Sequence, residues 1–475
     1  MSLNTWLLLT PQLLIALGVV CCLLLISWQR SQQLIAWFTL MVMLVTIVAT
    51  VSLIGQTAVH ITELIYVDSF SLVAFLWVLL AGFSAVYMSK AYLHSHLEVH
   101  DEFYLLLLLT VLGAGVLVAS DHFASLFLGF ELLSISLVGL TGYFRHQRHA
   151  IEVSFKYLIL SASASSFMLL GIAFLYSQTG SLSFVQIQPE NADNMIAQMG
   201  FLLFIAGIGF KLSLVPFHFW TPDVYQGSPT PVTFVLATIS KSAMFIALAK
   251  CIYVEGFQTL VALPSIHHAL SALAIISMIV GNCLALGQNN IKRILAFSSI
   301  AHMGYLMIVL LVHQQQSILL ARQAVLFYLF AYLIANIAIF GMLVLIERDR
   351  NVGNNIELAH WKGMFWHSPY KAFVLIVAVL SLIGIPLTGG FIGKFYLMIL
   401  AANNALWPLL IALIVGSGIA LGYYLPMIFQ LFKQDVVKIS HITTWRTRLW
   451  LSVIFLLSIG VGILPDVIIT PLLNF

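Results

Sequence analysis

The chain has 475 residues, 61% of them hydrophobic and only 8% charged, with a formal net charge of +3. Soluble domains carry about 25% charged residues, so this composition excludes a water-soluble fold, and so small a surplus of charge excludes the electrostatics of a nucleic-acid partner. The four cysteines, Cys21, Cys22, Cys251 and Cys283, sit in or beside apolar runs without the spacing of a metal site or disulfide frame, and read as small core residues.

Apolar runs recur along the whole length, so residues 1–475 read as a single membrane domain. A crossing helix needs about 20 mostly apolar residues, and a bilayer admits only helices and closed barrels. These runs are too long and continuous for barrel strands, which makes the fold all-α and polytopic. Spans are predicted to start near Trp6, Leu34, Phe70, Phe103, His122, Glu152, Ala197, Pro231, Ile266, Ile294, Gln323, Lys371, Ala405 and Leu449, about fourteen in all. No basic residue precedes the first, from Trp6 to Trp28, so it reads as a retained helix rather than a cleaved signal, despite the short GVVCC stretch from Gly18 to Cys22. Residues 1–100 hold three N-terminal helices, 101–255 and 256–430 one five-helix unit each, and 431–475 a loop and the last helix.

Lys and Arg in short loops set the orientation of such a protein. Assigning loops alternately gathers Arg30, Lys90, Arg145, Arg148, Lys156, Lys292, Arg293, Arg348, Arg350, Lys362, Lys371, Lys433, Lys438, Arg446 and Arg448 on one side, and leaves Lys250 and Arg322 on the other. The basic side is the cytoplasmic one, so both termini are expected to be periplasmic, in a bacterial inner (plasma) membrane. The alternation also supports the span count, because one missed span would scramble it downstream.

Glu131, Lys211, Lys241 and Lys394 remain, deep inside apolar runs. A charge at the bilayer centre costs roughly 2.5–3.5 kcal/mol, so it faces a partner or a wet cavity and marks an ion route. The alternative is snorkelling of a long Lys stem to the interface, which Glu131 is too short to do. Its simplest partner is Lys211, the sole cation of the GIGFKLSLVPF run. A carboxylate moving toward or away from a buried amine switches that amine between holding and releasing a proton, and lysine suits this where arginine does not.

Two of these lysines adjoin helix breakers. Pro216 follows Lys211, and Pro386 with Gly389, Gly390 and Gly393 precedes Lys394 in LIGIPLTGGFIGKFYL. Proline removes a backbone donor and clashes with the preceding turn, so spans seven and twelve are predicted to be discontinuous, the alternative being a simple kink. Broken helices at corresponding places in two halves point to a transporter's central site, and an odd number of helices per unit inverts the second unit relative to the first. Among the histidines, His302 in KRILAFSSIAHMGYL and His218 beside Pro216 are placed to pass protons, against the plainer reading of a buried ring bonded to a carbonyl. Glu152 and Lys156 have the spacing of an i,i+4 surface pair and are minor candidates. No phosphate loop, nucleophile triad, metal cluster or dinucleotide fingerprint is present, so no redox cofactor is assigned to this chain.

The stretches DEFYLLLLL, ASLFLGFELLSISLVGL, GFKLSLVPFHFWTPDVYQGSPTPV, NNIKRILAFSSIAHMGYL and GIPLTGGFIGKFY, from Asp101 to Tyr396, resemble the antiporter-like membrane subunits of respiratory complex I, the proton-pumping NADH:quinone oxidoreductase. TPDVYQG and KRILAFSSIAHMGY are the most specific of these. The resemblance implies that Glu131 and Lys211 are a coupling pair, Lys241 a central carrier, His302 a connecting element and Lys394 the exchange group toward the far side. Lys394 stands where one sister subunit has an acid, and the chain ends at Phe475 without the long lateral helix of the largest sister, which favours the N-type subunit. The resemblance further implies other membrane-arm subunits as partners, with flavin, iron–sulfur clusters and quinone held by partner subunits. A subunit of a multisubunit Mrp-type cation/proton antiporter is the second reading. A membrane scaffold whose buried charges only fix helix register is the third.

Overall fold

The computed structural model describes residues 3–93, 101–144, 148–186, 194–312, 314–350, 356–434 and 445–465. Its helices run in order α1 (Leu3–Leu8), α2 (Thr10–Trp28), α3 (Gln32–Leu53), α4 (Ser69–Leu93), α5 (Asp101–Ala119), α6 (Phe123–Thr141) and α7 (Arg148–Thr179). There follow α8 (Met195–Leu212), α9 (Trp220–Gly227), α10 (Thr230–Ala237), α11 (Ile239–Ile252), α12 (Glu255–Ala262), α13 (Pro264–Leu286) and α14 (Ile291–Leu310). The chain continues with α15 (Gln315–Arg350), α16 (Met364–His367), α17 (Pro369–Ile383), α18 (Gly389–Asn403), α19 (Trp407–Phe432) and α20 (Trp445–Ile463). Among the described residues twelve stretches are long and apolar enough to cross a membrane, counting α10 with α11 as one, and α17 and the Arg448–Ile463 part of α20 are shorter apolar helices. With α17 and α18 joined as one broken span, these match the fourteen predicted starts one for one. One element lies outside the all-α expectation, an antiparallel hairpin of β1 (Val59–Thr62) and β2 (Ile65–Val67).

Two compact units divide the chain: Met1–Trp220 with Thr238–Ala272, and Thr221–Ala237 with Leu273–Asn474. Inside the first unit, α7 and α8 approach so closely that a Cβ on Gly171 would stand 2.4 Å from the Phe204 backbone nitrogen. Small residues allow such backbone contact where lipid gives no hydrophobic drive for association. In the second unit α15 and α14 are buried almost throughout, as helices apolar on every side should be. Elsewhere large apolar side chains face outward, among them Leu17, Leu24, Met41, Val48, Ile411 and Ile414, a distribution that suits acyl chains rather than water. Trp28, Trp366 and Trp445 are exposed near helix ends, where amphipathic rings belong at a headgroup layer.

Three cations that the sequence places in loops are buried: Lys292 at 0%, Lys371 at 3% and Lys250 at 9% exposure. Lys250 donates from its ammonium to the Tyr66 carbonyl at 3.0 Å, Ser71 Oγ at 3.0 Å and the Val118 carbonyl at 3.1 Å. It thereby fastens the end of α11 to the hairpin, to α4 and to the last turn of α5. Of the loop cations, the side chains of Arg145, Arg148, Arg350, Lys438 and Arg446 lie outside the described residues.

Candidate functional site

In the first unit, α8 ends at Leu212, immediately after Lys211, where Ser213 turns into the left-handed region at φ 62°. The carbonyls orphaned by that ending are taken up locally. Leu214 N donates to Gly209 O at 2.8 Å, while Ser213 N and Trp220 Nε1 donate to Phe210 O at 3.0 and 2.9 Å. Lys211 is 1% exposed, and its ammonium donates to Ser134 Oγ at 2.8 Å and Tyr157 OH at 2.6 Å, with the Phe130 ring centroid 5.3 Å away.

Glu131 lies one turn before Ser134 on α6 and accepts a bond from Ser165 Oγ on α7. The direct ion pair expected between Glu131 and Lys211 is not formed. Hydroxyls of α6 and α7 hold each group separately. Glu152 and Lys156 pair at 2.9 Å with side chains about half exposed, which is the surface chemistry their spacing predicts. His218 is buried at 5%, stacked on Phe219 at 4.6 Å, and its Nδ1 meets no partner among the described residues.

Lys241 is fully buried, three residues into α11. Its helix follows an interruption that the sequence does not announce: Thr238, at φ −110° and ψ −71°, separates α10 from α11 without proline or glycine. Lys211, Lys241 and Lys394 therefore each stand within one turn or two of a break in the span.

The second unit builds its site around the α17–α18 break. Gly384 adopts φ 85°, and Ile385 N reaches back to Leu380 O at 3.1 Å, closing α17 with a left-handed cap. Lys394 then donates from one helix half to the other, to Ile383 O at 2.7 Å, placing a cation on the negative end of α17. A second bond goes to Ser417 Oγ at 3.2 Å, and the Tyr305 ring centroid lies 5.0 Å from the ammonium. Gly390 packs with no room for a side chain, since a Cβ there would stand 1.7 Å from Ser381 O, and its N–H donates to Ser381 Oγ at 3.2 Å.

His302 Nδ1 meets Tyr328 OH at 2.6 Å, and the Tyr332 ring lies 5.2 Å from its own. His302, Tyr328, Tyr332, Ser381, Gly390 and Lys394 together line a cavity with about 10 Å³ for the centre of a water molecule, close to the smallest space that holds one. Beyond Lys394 the polar groups continue. Asn282 Nδ2 donates to Tyr305 OH at 2.8 Å, Tyr423 OH donates to Asn282 Oδ1 at 2.9 Å, and Tyr424 OH is bonded to Ser298 Oγ. The sequence reading singled out none of Ser134, Tyr157, Ser165, Asn282, Tyr305, Tyr328 or Tyr332. Tyrosines and serines in an apolar run are too common to mark a site until their partners are known.

One buried charge pair went unread in the sequence. Lys292 Nζ stands 3.2 Å from Glu347 Oε1, with the two side chains 0% and 4% exposed. Among the described residues no three His, Cys, Asp or Glu side chains are grouped to share a metal ion.

Known proteins match this arrangement closely. A family profile described as NADH:quinone oxidoreductase/Mrp antiporter, transmembrane region, covers residues 120–420. A chain of respiratory complex I from Thermus thermophilus superposes with a TM-score of 0.85 at 30% identity, covering 98% of this chain and 99% of that one. The same score is reached, at 23% identity and covering 100% and 97%, by a chain of an archaeal respiratory complex, the membrane-bound sulfane sulfur reductase. It is reached again, at 18% identity and the same coverage, by a chain of the Mrp complex from Dietzia sp. DQ12-45-1b, and these last two likenesses bear on the fold alone. With a profile spanning most of its length and a 30% identical relative matched over 98% of it, the chain belongs to the NADH:quinone oxidoreductase/Mrp antiporter transmembrane family.

Proposed function

We propose that this chain is a proton-translocating, antiporter-like subunit of a complex I-type NADH:quinone oxidoreductase, working in a bacterial inner membrane with both termini on the periplasmic side. The observation that carries this reading is the burial of Lys211, Lys241 and Lys394 in broken spans, two of them with hydroxyl partners that an ammonium or a neutral amine can each use. A structural cation would be better served by arginine, which cannot release its proton. Glu131 biases Lys211, Lys241 carries the proton onward, and Lys394 exchanges it with the far side through the His302 cavity. Lys394 itself favours the N-type member of the family.

The redox chemistry belongs to partner subunits, which hold the flavin, iron–sulfur clusters and quinone, and this chain sits among sister antiporter-like subunits of the membrane arm. Moving one charge against 100 mV takes about 2.3 kcal/mol, which a rearrangement of buried charges is of a size to supply. The expected result is that Lys211→Ala in the assembled complex abolishes proton pumping linked to NADH oxidation, measured in sealed membrane vesicles; undiminished pumping would overturn the reading. Purification separates it from the Mrp-type alternative. Co-isolation with flavin and iron–sulfur proteins supports the complex I assignment, and sodium-dependent proton exchange without them supports the antiporter.

A further inference from the structure

The pair of Lys292 and Glu347 lies outside every role given above, and it stands at one end of a two-helix ladder. α14 and α15 run antiparallel in the second unit. Lys292 and Glu347 meet at 3.2 Å at one end, and His302 meets Tyr328 at 2.6 Å at the other, one rung from Lys394 across the shared cavity. Between them α14 presents Ser299 seven residues after Lys292, hence on the same face and about 10 Å along. Ser299 Oγ approaches Tyr225 OH at 3.5 Å. α15 presents Asn336 eleven residues before Glu347, again on its face, followed by Tyr332 and Tyr328 at successive turns.

The pair is also close to the surface. The next residue on α14, Arg293, has a 28% exposed side chain and the next on α15, Arg348, is exposed, so one residue separates a dry charge pair from the outside of the unit. Thr230 Oγ1 donates to Glu347 Oε1 at 2.6 Å, and Lys292 donates to Ser228 O at 3.1 Å, which keeps both charges aligned. A buried ion pair is weak support for stability, since apolar residues of similar volume commonly serve as well.

We propose that Lys292 and Glu347 form the proton-loading station of the second unit, receiving protons at its basic, inward-facing end and passing them along α14 and α15 to His302 and Lys394. This rests on the pumping function argued above. In each cycle a proton from the inward side neutralises the Glu347 carboxylate, the ammonium of Lys292 releases one proton toward Ser299 and His302, and the Glu347 acid returns its proton to the amine. One proton enters and one leaves, with no other bond changed. The step from Lys292 to Ser299 is the length of about three hydrogen-bonded waters.

Lys292→Arg in the assembled complex tests this, because arginine keeps the charge and the pair but never gives up its proton. Lys211→Ala is the control for pumping through the chain at all. A tenfold or greater loss of NADH-driven proton pumping at unchanged assembly, matching the control, is the expected result. A smaller loss in Lys292→Arg, with the control abolished, overturns the loading station while leaving the function intact; a control that still pumps overturns the function itself. Should the arginine not assemble, the neutral double variant Lys292→Met with Glu347→Gln decides. An assembled variant that pumps, or failure of this variant also to assemble, shows a structural staple and overturns the proposal; an assembled variant that does not pump supports it.

Discussion

Lys211 and Lys394 are held by similar chemistry: an ammonium deep in an apolar run, satisfied by a serine hydroxyl and one further oxygen, beside an aromatic ring. A hydrogen bond to a charged group contributes about 1.5–3 kcal/mol, or roughly ten- to a hundredfold in the equilibrium it supports. Ser134→Ala and Tyr157→Phe each remove one such bond from Lys211 and keep the lysine. Both are expected to slow pumping by about tenfold while leaving the complex assembled, measured as the initial rate of NADH-driven proton uptake; rates equal to wild type would show that these hydroxyls are packing only. The charges of Glu131, Lys211, Lys241 and Lys394 were legible in the sequence because each interrupts a run of apolar residues. Lys292 and Glu347 were not, since NNIKR and IERDR read as solvated helix ends, and only tertiary packing shows that the inner member of each basic or acidic group is dry.

Among the elements, spans seven and twelve were expected to break at Pro216 and Pro386, and both do, within a few residues of those positions. The interruption at Thr238 gave no such sign, because nothing in the chain there forbids a continuous helix. The β1–β2 hairpin was likewise not read from the sequence, although VHITELIYV is rich in the β-branched and aromatic residues that suit strands. The α17–α18 joint depends on one missing side chain. Gly390→Ala would drive a Cβ into the Ser381 carbonyl, so the assembled complex is expected to be lost on a native gel, whereas Gly418→Ala, with open space around it, should assemble normally. Lys250 is the tie between α11 and the hairpin. Lys250→Met removes three hydrogen bonds and is expected to destabilise the first unit by about 3 kcal/mol, visible as faster proteolytic cleavage of the hairpin in membranes.

For the whole molecule, the count and order of spans followed from hydropathy alone, because each crossing demands the same length of apolar chain. In the division into two compact units, Thr221–Ala237 belongs with the later unit although the residues on both sides of it belong with the earlier one. This excursion leaves the first unit nine residues after its Lys211-bearing position and returns three residues before Lys241. A gene cut between codons 255 and 256 would thus give an N-terminal fragment carrying a piece of its neighbour's core and a C-terminal fragment lacking it. Neither fragment should accumulate when expressed alone, and co-expression should restore both, as judged by immunoblot of membranes.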